Sequence, residues 1–506
     1  MKGIKSIELL KNPGTVSLND IPMSEYDEFF RQTITLLGKD GFHCLNYFTV
    51  RTEGRLNFYM LVANDEAHRV LIYGHSQPAD VKELASLTAE CFPLHVFERE
   101  IAENEGITFK GNPWAKPLRY PYNRADRNAL MKDYPFYNID SEETHQVGVG
   151  PVHAGIIEPG HFRFHCHGER VLHLEIQLGY QHRGVEDIML SKETILQRAI
   201  ISEDISGDTA VGHSTAFAGI SESLAGKEPC NKLKIWRTIA LEMERMAVHI
   251  GDTAALCGDV AYQIGQVTCE ALRTMVINSM QDWCGNRFGK RLIRPGGSNF
   301  PLTNERAEII LKTLGEVRHR FLEVTDLIYN DSGIIARFEN TGTLSVQQAR
   351  LAGAVGMAAR SSGLHRDIRK SHPSLAYSNM NYSPALLDGG DVLARGMLRK
   401  MEVELSFKII EELIMSLMTN NETVPAPDYS LHYGPELMAV SLVEGWRGEI
   451  CHCALTDASG RIVKYKVKDP SLHNWTALAL AVRNQEISDF PVCNKSFNLS
   501  YCGNDL

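Results

Sequence analysis

The spacing of apolar positions divides the chain into stretches of different character. From about residue 30 to 110, strand-like and helical signals alternate. Phe42–Arg51 and Arg55–Ala63 are rich in Phe, Tyr, Val and Leu, and Thr52–Gly54 lies between them, which predicts a β-hairpin. After Pro78, apolar residues recur at Val81, Leu84, Leu87 and Cys91 with helical spacing, so a helix is expected over Ala79–Cys91. Phe97-Glu98-Arg99-Glu100 and Gly106 to Pro113 have the composition of a helix end followed by a short strand.

From Gly111 to about Thr144 the composition shifts to Asn, Pro, Arg and Tyr, as in Asn112-Pro113-Trp114 and Tyr120-Pro121-Tyr122. Such a stretch resists regular structure and serves as a linker or a strap laid across a partner. Gly148–Leu178 again carries strand signals, and helical periodicity then dominates to about Asn420. The clearest helix is Asn231–Tyr262, apolar nearly all round as in the centre of a bundle. Within it Glu242, Arg245, His249 and Asp252 fall on one stripe. Further helices are expected at Asn304–Ile328, Val346–Arg360 and Ala385–Met418, with strands returning over Gly448–Val467. The fold class is therefore α+β: a small α+β domain at 1–115, an extended strap at 116–147, and at 148–506 a large, mainly helical domain with a central bundle and peripheral sheet.

Composition narrows the function. At 506 residues with 43% hydrophobic positions the chain can fill a sizeable core. Its net charge of −10, without long charge runs, argues against a nucleic-acid surface or a polybasic membrane patch. No stretch is long and apolar enough to span a bilayer; the best window, Leu351–Ala359, is bounded by Arg350 and Arg360. Lys2, Lys5 and Glu8 interrupt Met1–Leu10 where a secretory leader would be apolar, so a reducing compartment and buried thiols are expected. The 11 cysteines contain no C-x-x-C pair, which makes a zinc ribbon or ferredoxin-type cluster a poor expectation.

Four segments carry candidate chemistry. His161, His165 and His167 alternate on one strand face and could hold a metal or form a hydrogen-bonded polar face. Gly179 to Glu186 is a glycine turn leading into a helix, where Glu186 is either a structural cap or a functional carboxylate. Glu444-Gly445-Trp446-Arg447-Gly448-Glu449 offers an Arg fork to an anion, or a salt bridge. The bundle stripe groups four ionisable side chains on a greasy helix.

In this order the segments resemble a known family. Phe97 to Glu100, Gly106 to Phe109 and the Tyr120–Tyr122 strap are similar to the thirty-kilodalton-type subunit of respiratory complex I. Gly150-Pro151-Val152-His153, Glu158 to Arg163, Gly179 to Glu186, Glu242 to Asp252, Arg294 to Gly297, Gly363 to Pro373 and Glu444 to Gly448 resemble the complex I quinone-site subunit. They equally resemble the large subunits of group 4 nickel-iron hydrogenases such as formate hydrogenlyase. Fusion of the two parts is typical of the formate-hydrogenlyase branch.

The resemblance implies four thiolates holding nickel and iron, yet Ser206, Thr209, Ser500 and Gly503 stand at those positions, with Cys502 one residue out of register. It thus implies no nickel-iron centre and no hydrogenase activity for this chain alone, as in the energy-converting-hydrogenase-related complexes. Ile157 and Ser206 stand where the complex I quinone site has His and Tyr. What the resemblance leaves is a quinone-type cavity with His153, Arg183 and Ser206 as binding candidates and Glu186, His213 and Arg447 as cavity or proton-transfer candidates.

The implied setting is a membrane-associated, ion-translocating complex, related to NADH:quinone oxidoreductase or formate hydrogenlyase, on the cytoplasmic side of the cell membrane. Implied partners are an iron-sulfur small subunit carrying the cluster, a ferredoxin-like iron-sulfur subunit and membrane subunits; this chain would bind no cofactor itself. The alternative is a non-catalytic scaffold whose old cavity is closed.

Overall fold

The computed structural model of the chain describes residues 5–153, 155 and 157–506; Lys2 of the amino-end charge pattern lies outside the described residues. The expected hairpin is present as Phe42–Thr52 and Arg55–Asn64, paired in antiparallel register from Thr52↔Arg55 to Phe42↔Asn64 around Gly54 at φ +69°. Arg69–Pro78 extends the sheet, and Ile7–Leu9 closes its edge. Both faces of this sheet are buried. Phe58, Met60 and Val62 pack with Phe29 and Leu36 of the helix Tyr26–Leu37, whereas Tyr59, Leu61 and Ala63 pack on Met438, Val440, Cys451 and Cys453 of the large unit. Burial on both faces explains why the strand is a continuous apolar run without polar alternation.

No helix occupies Ala79–Cys91. Glu83–Ala85 forms a strand parallel to Thr108–Lys110, single 3₁₀ turns follow, and the helix arrives only at His95–Glu105. Tertiary bonds override the helical spacing: the buried Glu98 carboxylate accepts from the Leu87 amide at 2.6 Å and the Thr88 hydroxyl at 2.7 Å, and it also takes the Ser86 hydroxyl. The 86–88 segment thereby spends its donors on Glu98 rather than on a helix of its own.

Residues 111–144 hold a single 3₁₀ turn, Met131–Asp133, and are fixed by side chains. Arg99 donates to the Lys116 and Pro117 carbonyls, and Arg124 gathers the carbonyls of Pro121, Arg127 and Ala129.

The large unit is built around the helices Asn231–Asp259, Gln263–Cys284, Asn304–Ile328 and Val392–Leu417. Val346–Arg360 is divided into Val346–Ala352 and Gly356–Arg360 because Gly353 adopts φ +70°, where a Cβ would lie 2.8 Å from Pro93. The last long helix begins at Val392, seven residues later than its apolar pattern predicts, where Asp391 caps the Ala394 amide. Gly389 and Gly390, just before that cap, resist helix. A three-stranded sheet, His145–Val149, His161–His167 and Arg170–Gln177, packs on the carboxy-terminal helices through Phe162, Phe164, Val171 and Leu174 against Trp475, Leu478 and Phe497. A four-stranded sheet runs Ile462–Lys468, Glu449–Thr456, Leu437–Glu444 and, from the far amino end, Gly14–Ser17.

A ladder of buried charges joins the amino-terminal helix His95–Glu105 to the strap and the carboxy-terminal sheet. Glu100 of the amino-terminal helix pairs with Arg119 of the strap at 2.6 Å and with Lys466 of the carboxy-terminal sheet, and Lys466 reaches Glu186 at 3.0 Å. Burial alone would raise the Glu100 carboxyl, but Lys466 and Arg119 overcome it and hold the group at about 2. An ordinary Glu titrates near about 4.3. The stabilisation from this pairing is therefore complete above that value and disappears as pH falls towards 2. Lys466→Ala, which leaves Glu100 short of one partner and Glu186 without its cation, should lower unfolding free energy by about 3 kcal/mol in urea titrations at neutral pH. The difference from the native chain should shrink as the titration is repeated between pH 4.5 and 2.

Candidate functional site

The carboxy-terminal five-residue helix, Tyr501–Asp505, brings the ends of the large unit together. Asp505 accepts from the amides of Gly179 and Gln181 at 2.8 Å each, so the chain terminus clamps the glycine turn that precedes Glu186. Arg183 completes the clamp, donating to the carbonyls of Asp204, Ile205 and Cys502 at 2.6, 2.8 and 3.3 Å.

This clamp sets Ser206 against Ser500, two positions 294 residues apart, with hydroxyls 3.0 Å from one another. Ser500 also caps the terminal helix by accepting from the Gly503 amide at 2.9 Å. Asp208 accepts from Ser206 and Thr209 at 3.0 Å each and from both terminal nitrogens of Arg447 at 2.6 and 2.7 Å. Arg447 lies flat on Trp446, 3.9 Å from its centroid, and donates through Nε to the Asn498 carbonyl. Burial pushes the Asp208 carboxyl up, and Arg447 more than reverses this, so it stays below the usual carboxylate range. Asp208 forms the outer lip, its side chain 41% exposed, while Ser206, Thr209, Arg447 and Ser500 are buried beneath it.

Behind the cluster runs a hydrogen-bonded chain of fully buried groups. His213 Nε2 is 3.1 Å from Asp469, His213 Nδ1 is 3.0 Å from His452 Nε2, and His452 Nδ1 is 2.8 Å from the Tyr465 hydroxyl. Burial and the neighbouring His213 hold His452 well below the ordinary imidazole range, so it is neutral. One pattern satisfies every atom: Tyr465 donates to His452, His452 to His213, and His213 to Asp469. Asp469 stands where a side chain at 503 would go; a Cβ on Gly503 would come within 2.7 Å of its Oδ2.

The bundle stripe is the centre of a second, larger network. Glu242 accepts from Arg245 at 3.2 Å, from Arg369 at 3.3 Å and from the Tyr377 and Ser406 hydroxyls. Glu402 faces Arg369 at 2.8 Å, Arg360 at 3.3 Å, Arg245 at 3.5 Å and His249 at 3.6 Å. Asp367 and Glu444 complete it: Arg360 donates to both at 2.9 Å. Three guanidiniums thus meet four carboxylates, and burial together with the nearby Asp367 pushes Glu444 up to about 7. Asp252 pairs with Arg399 at 2.9 Å and with the Asn498 amide at 2.6 Å, and Asn498 in turn touches Arg447, which links the network to the cluster.

Of the residues singled out from the sequence, Ser206, Thr209, Arg447, Ser500 and Gly503 converge, with His213 one bond behind through Asp469 and Arg183 on the outer side. Two stand apart. Glu186 is bound to Lys466 and the Val467 amide, and His153 donates to or accepts from nothing in the cluster, its Nε2 lying 2.9 Å from the Gly160 carbonyl. Ile157 is exposed on the same loop. His161, His165 and His167 diverge: His161 turns to the Gly150 carbonyl, His165 packs by Tyr137 and His173, and His167 is exposed. No group of three His, Cys, Asp or Glu side chains among the described residues is placed to hold a metal ion.

Sequence reasoning missed Asp469, His452, Arg360, Arg369 and Glu402. Only Cys451-His452-Cys453, a polar residue inside an apolar strand, carried a visible signal.

Low-valent nickel and iron call for thiolates. The four positions supply three hydroxyls and no side chain, each hydroxyl is already bonded, and the one adjacent thiol, Cys502, is pushed up to about 11 by burial and remains protonated. The donor set does not fit a nickel-iron centre.

Residues 259–437 match the family described as the respiratory-chain NADH dehydrogenase 49 kDa subunit. Hydrogenase-4 component G of Escherichia coli is 26% identical over 84% of this chain and 76% of its own length. A component of the NADH-quinone oxidoreductase of Chloroherpeton thalassium is 28% identical over 78% of this chain and 95% of its own. A chain of the archaeal membrane-bound sulfane sulfur reductase, a respiratory membrane complex, shares the fold with TM-score 0.67 at 20% identity, covering 73% of this chain and all of that one. The chain is thus a homologue of complex I 49 kDa-type subunits and of group 4 hydrogenase-type large subunits.

The two networks should respond differently to mutation. Glu402→Gln leaves three buried guanidiniums short of a carboxylate and should cost about 3–5 kcal/mol of unfolding free energy. Arg447→Leu frees Asp208, whose outer oxygen water can solvate, and should cost only about 1 kcal/mol in the same denaturant titration.

Proposed function

We propose that this chain is the peripheral-arm large subunit of a membrane-bound, ion-translocating redox complex of the complex I and hydrogenase type, that it holds no nickel or iron, and that it contributes to a quinone-type acceptor site beside an iron-sulfur partner. The observation that carries the reading is the convergence of all four inherited ligand positions on one hydroxyl and carboxylate cluster that satisfies itself. Electron transfer would then belong to partner-held iron-sulfur centres, with a small subunit and a ferredoxin-like subunit as donors. No described helix is long and apolar enough to cross a membrane, which is in keeping with attachment through membrane subunits.

An acceptor would be met at the outer side of the clamp. There a depression of about 630 Å³ is lined by Tyr120, Tyr122, Arg124, Leu130, His182 and Arg183, which combine aromatic surface with the positive charge of two guanidiniums. Arrival of charge at this face would be answered inside the chain by protons. Glu444 sits near the middle of its titration at neutral pH, and Tyr465, His452, His213 and Asp469 are within hydrogen-bond distance at every step. Glu186, tied to Lys466, would pass charge between the glycine turn and the sheet.

The burial of Ser206, His213 and Ser500 favours a second reading, in which the chain is a coupling scaffold and the inherited cavity stays shut. Metal analysis and function separate these claims. The purified assembly should contain less than about one tenth of a nickel per chain, and stoichiometric nickel would overturn the donor-set argument. Glu186→Gln in the assembled complex should lower coupled ion translocation while leaving subunit composition intact; undiminished translocation would remove Glu186 from the relay.

A further inference from the structure

A second cavity, of about 890 Å³, opens where the amino-terminal unit meets the large one, lined from one side by the loops around Lys39–Cys44 and Asp65–His68 and from the other by Gly353–Val355, Gly363–Lys370, Ser383–Leu386 and His473. It shares no lining residue with the Ser206 and Ser500 cluster or with the depression beside Arg183. Its walls are mixed, with apolar surface from Leu37, Phe42, Pro93, Ala349, Leu364 and Leu386 between charged groups. Its volume is within the range of sites that enclose small organic molecules.

The polar groups at its lining are unusual in what they lack. His43 Nδ1, Asp65 Oδ1, His473 Nδ1 and the Nε and Nη2 of Arg360 are buried without hydrogen-bond partners. Arg360 Nη2 lies 3.3 Å from Glu402 but without hydrogen-bond geometry. Buried polar atoms are normally paired, so this cluster of orphans beside the cavity leaves the junction short of internal partners. The imbalance has a sign. Arg366 donates to Asp65 at 3.0 Å, its one ion-pair partner among the described residues, and to the Phe42 carbonyl at 3.3 Å, and burial with the nearby Glu449 pushes the Asp65 carboxyl up, which weakens its claim on the guanidinium. Burial correspondingly pulls the Arg366 guanidinium down to about 10. Lys370 and Lys39, at the exposed rim, form no ion pair among the described residues. The remaining carboxylates are committed elsewhere: Asp40 to Arg350, Asp367 to Arg360 and Arg369, and Glu449 to His43 and Lys468. Glu66, exposed, is the exception.

We propose that the junction cavity is a binding site for a small amphipathic organic anion, its carboxylate or phosphate group taken by Arg366 with Lys370 at the rim and its apolar body laid on the walls. Arg offers a planar fork matched to either head group. Because Arg360 and Asp367 line the cavity and also belong to the bundle network, occupancy would be felt by Glu402 and Glu444. The site does not depend on the acceptor chemistry proposed above.

The test uses the full-length chain and anilinonaphthalene sulfonate, an amphipathic anion whose fluorescence reports burial. One saturable site per chain is expected. Arg366→Gln should weaken binding about tenfold or more, the size of one charge-assisted hydrogen bond. Lys370→Glu, at an exposed position that leaves the fold undisturbed, should weaken it several-fold, and the remote Arg320→Gln should not change it. Competition by inorganic phosphate or by malonate identifies which head group the site prefers. Equal binding by the native chain and Lys370→Glu, many weak sites in place of one, or displacement by neither anion would overturn the proposal.

Discussion

The constraint on which the large unit depends is the need to neutralise three guanidiniums inside a helix bundle. Arg245, Arg360 and Arg369 are almost wholly removed from water, and each is matched by carboxylates from a different segment. That requirement positions more than the charges. Arg245 also donates to the carbonyls of Glu444 and Gly445, which anchors the turn that follows. At the end of that turn Gly448 crosses Gly356 so closely that a Cβ on Gly448 would lie 2.7 Å from the Gly356 Cα. Arg447 is carried between these two restraints and delivered to Asp208. The outer cluster is therefore held by the inner one, and an error in the bundle would be felt at the Ser206 and Ser500 pair.

The cluster itself is built from hard donors that satisfy one another. Hydroxyls do not need a metal, because they can donate to a carboxylate and accept from an amide at once. Ser206 donates to Asp208, and Ser500, facing it, accepts from the Gly503 amide and caps the last helix. Asp469 then occupies the space left at Gly503 and orients His213. The cluster is part of the polar core, continuous through Asn498 with Asp252 and Arg399.

Much of this architecture was legible in the sequence where local pattern and tertiary environment agree. The hairpin at Phe42–Asn64, the long helix from Asn231 and the helix Asn304–Ile328 all follow their apolar spacing. The failures have physical causes. Ala79–Cys91 has helical spacing, but a distant carboxylate, Glu98, claims its donors. Val346–Arg360 is periodic, yet Gly353 meets Pro93 from the amino-terminal unit. The meeting of Ser206 with Ser500 could be foreseen only through family resemblance, since nothing local joins residues 294 apart. Glu402 and Asp469 were invisible because an ionisable residue on a helix or at a strand end is usually solvated, and only the packed structure reveals that these are not.

The four-residue strand Gly14–Ser17 has a consequence for how the polypeptide comes to be. It completes the sheet edge offered by Leu437–Glu444, so a segment that leaves the ribosome early has a neighbour made long after it. Until that neighbour is synthesised, the apolar face made by Tyr59, Leu61 and Ala63 has nothing to rest on. The sheet is closed like a clasp. The nascent protein thus carries an unfinished surface through most of its translation, a period in which a chaperone or an already assembled neighbour would find its opportunity.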